Sequence, residues 1–259
     1  APMRIAIIGY GKMGHMIRSK ALEKGHEVVS IIDPYAPDAE VTAKELGLKA
    51  LGKPDVVIDF SVPTTIVENI LFYGKNSIPA VIGTTGWYNR IPEIKDKLNG
   101  FKYSIFYSGN FSIGVIASLK IVEYASKLMN NLNEYDVSVH EIHHNQKADS
   151  PSGTALMFAK AILDNIERKG EIETEAVHEK ISSKALHVSS QRVGFNPGSH
   201  TITFDSPEDV IVINHSARSR EGFAKGAVVA AQWLAGDSFK EGLFCGDDLL
   251  PEILFGNNI

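Results

Sequence analysis

Arg4-Ile5-Ala6-Ile7-Ile8 is an apolar run that stops at Gly9-Tyr10-Gly11-Lys12-Met13-Gly14, after which Met16, Ile17, Ala21 and Leu22 recur at helical spacing. The pattern predicts strand, tight turn and helix. In that arrangement Gly9 permits the turn, Gly11 lets the backbone approach a pyrophosphate, and Gly14 lets the helix pack closely on the strand. A lone GxGxxG is weak, but this one follows a strand-like run, opens a helix and precedes Glu27-Val28-Val29-Ser30-Ile31-Ile32, which ends at Asp33. Asp33 follows Gly14 at close to the roughly 20 residues expected of an acid that accepts from a ribose 2′-hydroxyl. Lys12, within the loop, could offset a 2′-phosphate instead. Three ordinary turn glycines and a surface acid are the competing reading.

Further strands end in small polar residues. Asp55-Val56-Val57-Ile58-Asp59 runs into Phe60-Ser61, and Ala80-Val81-Ile82 runs into Gly83-Thr84-Thr85-Gly86. The run from Phe101 to Tyr107 ends in Ser108-Gly109-Asn110-Phe111-Ser112, before a helical pattern that begins near Ile113. Ligands collect at the carboxyl ends of strands in open parallel sheets, so these loops are expected to contact the same nucleotide as the glycine loop. Singly, each is more often a plain turn.

A chain of 259 residues with net charge −5 has no global basic field, which disfavours nucleic acid and anionic membrane as partners. No uninterrupted apolar run approaches the roughly 18 residues of a spanning helix. The single cysteine, Cys245, cannot form an intrachain disulfide, and no charged-then-apolar leader is visible, so a cytoplasmic location is expected.

The densest chemistry lies in Glu141-Ile142-His143-His144-Asn145-Gln146-Lys147-Ala148-Asp149-Ser150-Pro151-Ser152-Gly153-Thr154-Ala155. Two imidazoles can move protons near neutral pH, and Lys147 can hold or protonate an anion. Pro151 suits a first helical turn, Ser150 or Ser152 can cap it, and Ala155, Leu156, Phe158, Ala159, Ile162 and Leu163 supply the apolar face. Gly153 and Thr154 then offer unpaired N–H groups to a carboxylate. His140-Glu141-Ile142-His143-His144 also matches the H-E-x-x-H pattern of zinc peptidases. However, Tyr135, Val137 and Val139 alternate with Asp136 and Ser138 as in a strand, where residues four apart are separated by about 13 Å. His140 and His144 could not share one ion, and no metal is expected.

The segment from Glu141 to Ala155 resembles the signature of the 4-hydroxy-tetrahydrodipicolinate reductase family, long called dihydrodipicolinate reductase, at every specified position. The resemblance extends to the glycine loop, Asp59-Phe60-Ser61, Gly83-Thr84-Thr85-Gly86, Asn110-Phe111-Ser112, Ala217-Arg218-Ser219-Arg220 and the region from Phe223 to Gly226. It implies an NAD(P)H-dependent oxidoreductase of lysine and diaminopimelate biosynthesis, with hydride passing from nicotinamide to a cyclic, imine-containing dicarboxylate. His143 and Lys147 would be catalytic, either one delivering the proton, and His144, Gly153 and Thr154 would bind substrate. The cofactor would contact Gly9, Tyr10, Gly11, Lys12, Met13, Gly14, Asp33, Gly83, Thr84, Thr85, Ser108, Gly109, Asn110 and Phe111.

Two departures from the family pattern bear on the cofactor. The glycine loop is one residue shorter than in many relatives, and Pro34-Tyr35 follows Asp33 where some carry arginine, so NADH is expected over NADPH. The segment from His187 to His200, with Gln191-Arg192-Val193-Gly194, is also atypical. In fold, the strand and helix order implies α/β architecture: a doubly wound parallel-sheet, Rossmann-type nucleotide domain with an inserted α+β mixed-sheet substrate domain. The nucleotide domain would take residues 1–112 plus 220–259. Residues 113–219 would bind substrate and, by resemblance, build a homotetramer. The mixed sheet is expected from Tyr135 to Glu141, Ala185 to Val193, His200 to Phe204 and Val210 to His215, with a helix over Phe223 to Leu234. The rival readings are another two-domain dehydrogenase and a catalytically silent nucleotide sensor.

Overall fold

The computed structural model describes residues 1–258. In chain order its elements are β1 (Arg4–Ile8), α1 (Lys12–Glu23), β2 (Glu27–Ile32), α2 (Leu48–Leu51), β3 (Val56–Asp59), α3 (Pro63–Lys75), β4 (Ala80–Ile82), α4 (Ile91–Lys97) and β5 (Ser104–Tyr107). There follow α5 (Ile113–Met129), β6 (Asp136–His143), α6 (Gly153–Leu163), β7 (Glu171–Glu173), β8 (Ala185–Arg192), β9 (Ser199–Asp205) and β10 (Val210–Ser216). The chain ends with α7 (Glu221–Leu234), β11 (Gly242–Cys245) and α8 (Gly246–Phe255). Contacts divide it into two compact units, residues 1–113 with 220–259, and residues 114–219.

The first unit holds a six-stranded sheet in the order β11-β5-β4-β3-β1-β2, parallel throughout. Its strands are apolar on both faces because helices cover both: Val56, Val57, Ile58 and Asp59 of β3 are all fully buried. The direction of winding reverses between β1 and β3, so their carboxyl ends open the crevice where such sheets bind ligands. The glycine loop leaves β1 at that point. The sixth strand, β11, was not expected from the sequence; it pairs Gly242 to Cys245 beside Ser104 to Tyr107.

Two glycines of the loop are dictated by space. Gly9 has φ +90°, and a Cβ there would lie 2.5 Å from the Phe60 carbonyl oxygen; one on Gly14 would lie 2.3 Å from the Gly9 oxygen. At Gly11 nothing lies within 4 Å. It is the N-cap of α1 and carries no side-chain cap, so the first N–H groups of that helix remain available to an anion.

The second unit holds a mixed sheet in the order β10-β9-β6-β8-β7. β6 runs antiparallel to β9 and parallel to β8. Val137, Val139, Glu141 and His143 of β6 point into the core, alternating with more exposed neighbours. Helix α6 lies against this face through Ala155, Phe158, Ala159 and Ile162, all fully buried among Leu186, Val188, Ile202 and Phe204. Each large apolar side chain so buried contributes roughly 1.5–3 kcal/mol. Pro151 is a correction: it lies outside α6, joined to Ser150 by a cis peptide bond. The helix starts at Gly153, because Ser152 is the residue whose side chain accepts from Ala155 N.

Candidate active site

In the first unit, Asp33 links the glycine loop to the turn after β2. Its Oδ2 accepts from Tyr10 N at 2.8 Å, and its Oδ1 accepts from Tyr35 N and Ala36 N, each at 2.8 Å. Burial alone would raise this carboxyl; the three backbone donors outweigh it and hold the pKa below its usual value. A carboxylate offers about four acceptor positions, so roughly one remains for a ribose hydroxyl. A 2′-phosphate would meet an anion here. Tyr10 is buried, with its ring stacked on His15 at 3.8 Å, while Gly11 and Lys12 are exposed and Met13 is half-buried.

The loops after β4 and β5 divide between support and contact. Gly83 lets the Phe60 ring approach to where a Cβ would stand 2.0 Å away, and Phe111 is fully buried against Phe60, Phe106 and Phe223. Ser108 is likewise buried, donating to Asp247 at 2.9 Å and accepting from Asn110 N at 3.0 Å. Thr85 and Gly109 are exposed. Thr84 Oγ1 and Asn110 Nδ2 are buried without a hydrogen-bond partner. Orphaned polar atoms in these loops, with the uncapped start of α1, fit a polar ligand bearing phosphates and an amide.

The second unit gathers side chains from three strands and a helix start. Glu141 lies directly across from His200 on β9 and beside Ser190 on β8, and His143 lies beside Arg192. Glu141 is fully buried, and His200, His143 and Ser152 are nearly so. Its Oε1 accepts from Ser152 N at 2.9 Å, Ser190 Oγ at 2.9 Å and Arg192 at 3.0 Å. Its Oε2 lies 3.3 Å from His143 Nε2 and 3.4 Å from His200 Nε2, at ion-pair range but without an aligned hydrogen bond. Burial would raise this carboxyl, but the His200 imidazole, Ser152 and Arg192 outweigh it and drive the pKa well down.

Burial lowers His143 to about 4, the Glu141 charge opposing that fall and His200, Lys147 and Arg192 adding to it. Gly198, at φ +141°, leaves room for the ring: a Cβ there would lie 2.9 Å from His143 Cε1. His144 is half-buried, and its Nδ1 accepts from Gln146 N at 3.2 Å. In the neutral ring the proton therefore sits on Nε2, available to a ligand. Lys147 Nζ pairs with Asp149 at 2.8 Å. Gly153 is exposed and Thr154 half-buried in the first turn of α6, at its positive end, where the Ser152 side chain takes up only Ala155 N.

His140 and His144 do not converge, since β6 is a strand through His143 and His140 Nδ1 instead meets Ser189 Oγ at 2.7 Å. A different trio, Glu141, His143 and His200, presents atoms within 4.8 Å of one another. Arg192, on the same carboxylate, already supplies the neutralising charge that a cation would supply. Sequence reasoning singled out His143, His144, Lys147, Gly153 and Thr154, but gave no role to Glu141, Ser190 or His200 and saw Arg192 only as part of an atypical loop. One sign was present: period-two alternation from Val137 carries Glu141 onto the inward face, where an acid needs partners.

Residues 3–111 match the family described as dihydrodipicolinate reductase, N-terminus, and residues 114–250 the family described as dihydrodipicolinate reductase, C-terminus. The chain is 37% identical to the 4-hydroxy-tetrahydrodipicolinate reductase of Christiangramia forsetii, covering 97% of this chain and 99% of that one. It is 36% identical to the enzyme of the same name from Archaeoglobus fulgidus, covering 96% and 100%. In fold it is similar to the dipicolinate-bound dihydrodipicolinate reductase from Paenisporosarcina sp. TG-14, with TM-score 0.73 and 24% identity over 96% of this chain and 100% of that one.

Proposed function

The chain belongs to the dihydrodipicolinate reductase family, and from that premise we propose that it reduces 4-hydroxy-tetrahydrodipicolinate, by way of its dehydrated imine, to tetrahydrodipicolinate. The enzyme is an oxidoreductase with a nicotinamide cofactor, which when bound supplies hydride. Residues 1–112 and 220–259 form its dinucleotide-binding domain, and residues 113–219 bind substrate and assemble the chain. The observation that supports this reading is one continuous segment in which His143, at the end of β6, is followed by His144, Lys147 and the first turn of α6.

The roles follow from the chemistry of the groups. Gly153 and Thr154 present backbone N–H groups and the positive helix end to a substrate carboxylate. Lys147 adds a full charge to the same anion, and His144 donates from Nε2. Hydride addition pushes electron density into the conjugated imine, and a positioned acid must supply a proton; His143 does so, with Lys147 holding the negative charge in place. Of the described residues, no helix is long and apolar enough to cross a membrane. The assembly is a homotetramer built through the second sheet, whose edge strand β10 exposes Val210, Ile211 and Val212.

The glycine-loop contacts comprise Gly9 to Gly14 and Asp33, joined by Gly83, Thr84, Thr85, Ser108, Gly109, Asn110 and Phe111. NADH is preferred, supported by the Asp33 carboxylate and by Pro34-Tyr35 after it. The test is NADH and NADPH oxidation in parallel, with substrate made freshly from pyruvate and aspartate semialdehyde by the upstream synthase. Substrate-dependent oxidation with a higher kcat/KM for NADH is expected. No oxidation with either cofactor would return the choice to another dehydrogenase or a nucleotide sensor.

A further inference from the structure

Proton delivery from a buried imidazole raises a problem of balance. A neutral ring that gives up its only N–H becomes an imidazolate, which a buried site cannot tolerate beside a carboxylate. The proton must be replaced at the other nitrogen as it leaves. In this protein the other nitrogen has one neighbour suited to do so: His143 Nε2 lies 3.4 Å from His200 Nε2.

We propose that His200 is a positioning residue for proton delivery, passing a proton from its Nε2 to His143 Nε2 as His143 Nδ1 gives one to the substrate. The inference rests on the reading of His143 as donor. Before the step, His200 carries N–H at both nitrogens, and His143 carries its hydrogen on Nδ1 and accepts at Nε2. After it, His143 carries N–H at Nε2, His200 is neutral with N–H at Nδ1, and the substrate has gained one proton. Glu141 remains a carboxylate throughout. The pair loses one positive charge and regains it from solvent once product leaves.

The geometry supports the transfer between the two Nε2 atoms. The polar contacts of His143 with His200 and Glu141 are made by Nε2, and Nδ1 lies on the Gly198 side of the ring, the nitrogen left for substrate. Oε1 of Glu141 is saturated by three donors, so Oε2 directs its charge only at the two Nε2 atoms. His200 is fixed by Ser152 Oγ at 3.2 Å and by Phe158, whose ring lies 5.7 Å away. Ser152 both caps α6 and donates its N–H to Glu141. The helix start that would receive the substrate carboxylate is thereby anchored to the same carboxylate that faces the two imidazoles.

The first experiment is single-turnover reduction in mixtures of H2O and D2O, on the full-length enzyme. Two protons in flight give the wild type a curved dependence of rate on deuterium fraction, and His200→Gln should make it linear. In that variant kcat should fall roughly 10- to 100-fold, below the general acid's own 10²- to 10⁴-fold, with KM for the dicarboxylate within about twofold. A linear wild-type dependence overturns the relay whether or not the variant folds, as does His200→Gln with wild-type kcat and curvature. His143→Gln separates the two claims: unchanged kcat there defeats the donor assignment itself, whereas a large fall there with none in His200→Gln defeats only the relay.

Discussion

Around the glycine loop the protein shapes its surface by leaving side chains out, whereas around Glu141 it crowds charged ones together. Gly9, Gly14 and Gly83 each admit a neighbour where a Cβ would stand, and α1 begins on backbone N–H groups without a side-chain cap. In the second unit Glu141, His143 and His200 are buried and Arg192 is half-buried beside them, the four drawn from three strands. The first arrangement leaves no space for added volume at these three glycines. The second tolerates little change of charge, because each buried charge is compensated by another.

The contrast can be broken most directly at Gly14. Gly14→Ala should lower stability by about 3 kcal/mol, as overpacking against backbone does, and abolish NADH binding; unfolding by urea and NADH fluorescence would measure both. A tolerated alanine would show that the loop is not defined by exclusion. Arg192→Met removes the cation from a buried carboxylate and should cost about 3 kcal/mol, with NADH affinity unchanged. A fully stable variant would mean that Ser152, Ser190 and His200 suffice for Glu141.

Both sites were unequally legible in the sequence, for a physical reason. A site made of backbone is written locally, so the glycine loop, Asp33 and the loops after β4 and β5 stand out as short patterns. The segment from Glu141 to Ala155 was legible for the same reason. His200 and Arg192 reach it only through strand pairing at long separation, and nothing near either residue announces a partner. Strands β6, β8, β9 and β10 followed from alternation to within two residues at most of their ends. The three-residue β7 and edge strand β11 did not, since short runs carry too little periodicity. Pro151 misled because proline favours both a first helical turn and the turn before one.

A pH measurement sharpens the comparison further. His143 has its folded pKa lowered to about 4 from 6.5, so between these values the unfolded chain binds the extra proton. Stability should therefore rise with pH across that window and be lost as pH falls from 6.5 towards 4. Glu141, depressed below its usual range, adds a loss that begins only as pH falls below the ordinary carboxylate value. His143→Gln should flatten the upper part of the slope, by on the order of 3 kcal/mol at most, read from urea midpoints at several pH values. Parallel slopes in the two proteins would mean that the ring is not held neutral. The smallest effect on stability is expected at Gly11, where an added methyl meets nothing within 4 Å. Gly11→Ala should change stability by less than about 1 kcal/mol while weakening NADH roughly tenfold, and an unaffected affinity would show that the ligand does not approach there.

The insertion of residues 114–219 between β5 and α7 has a consequence for synthesis. The second unit is contiguous and can fold as soon as Ser219 clears the ribosome. The first unit cannot finish until α7 and β11 emerge, because α7 packs on α1, β3 and β4, and β11 pairs with β5. Until then the sheet's β5 edge is unpaired and the surface destined for α7 lies bare, a state exposed to aggregation. The nascent protein thus carries its half-built nucleotide sheet for the time taken to translate everything after Tyr107, and truncation before Gly242 should trap it there, leaving an intact middle flanked by an incomplete beginning.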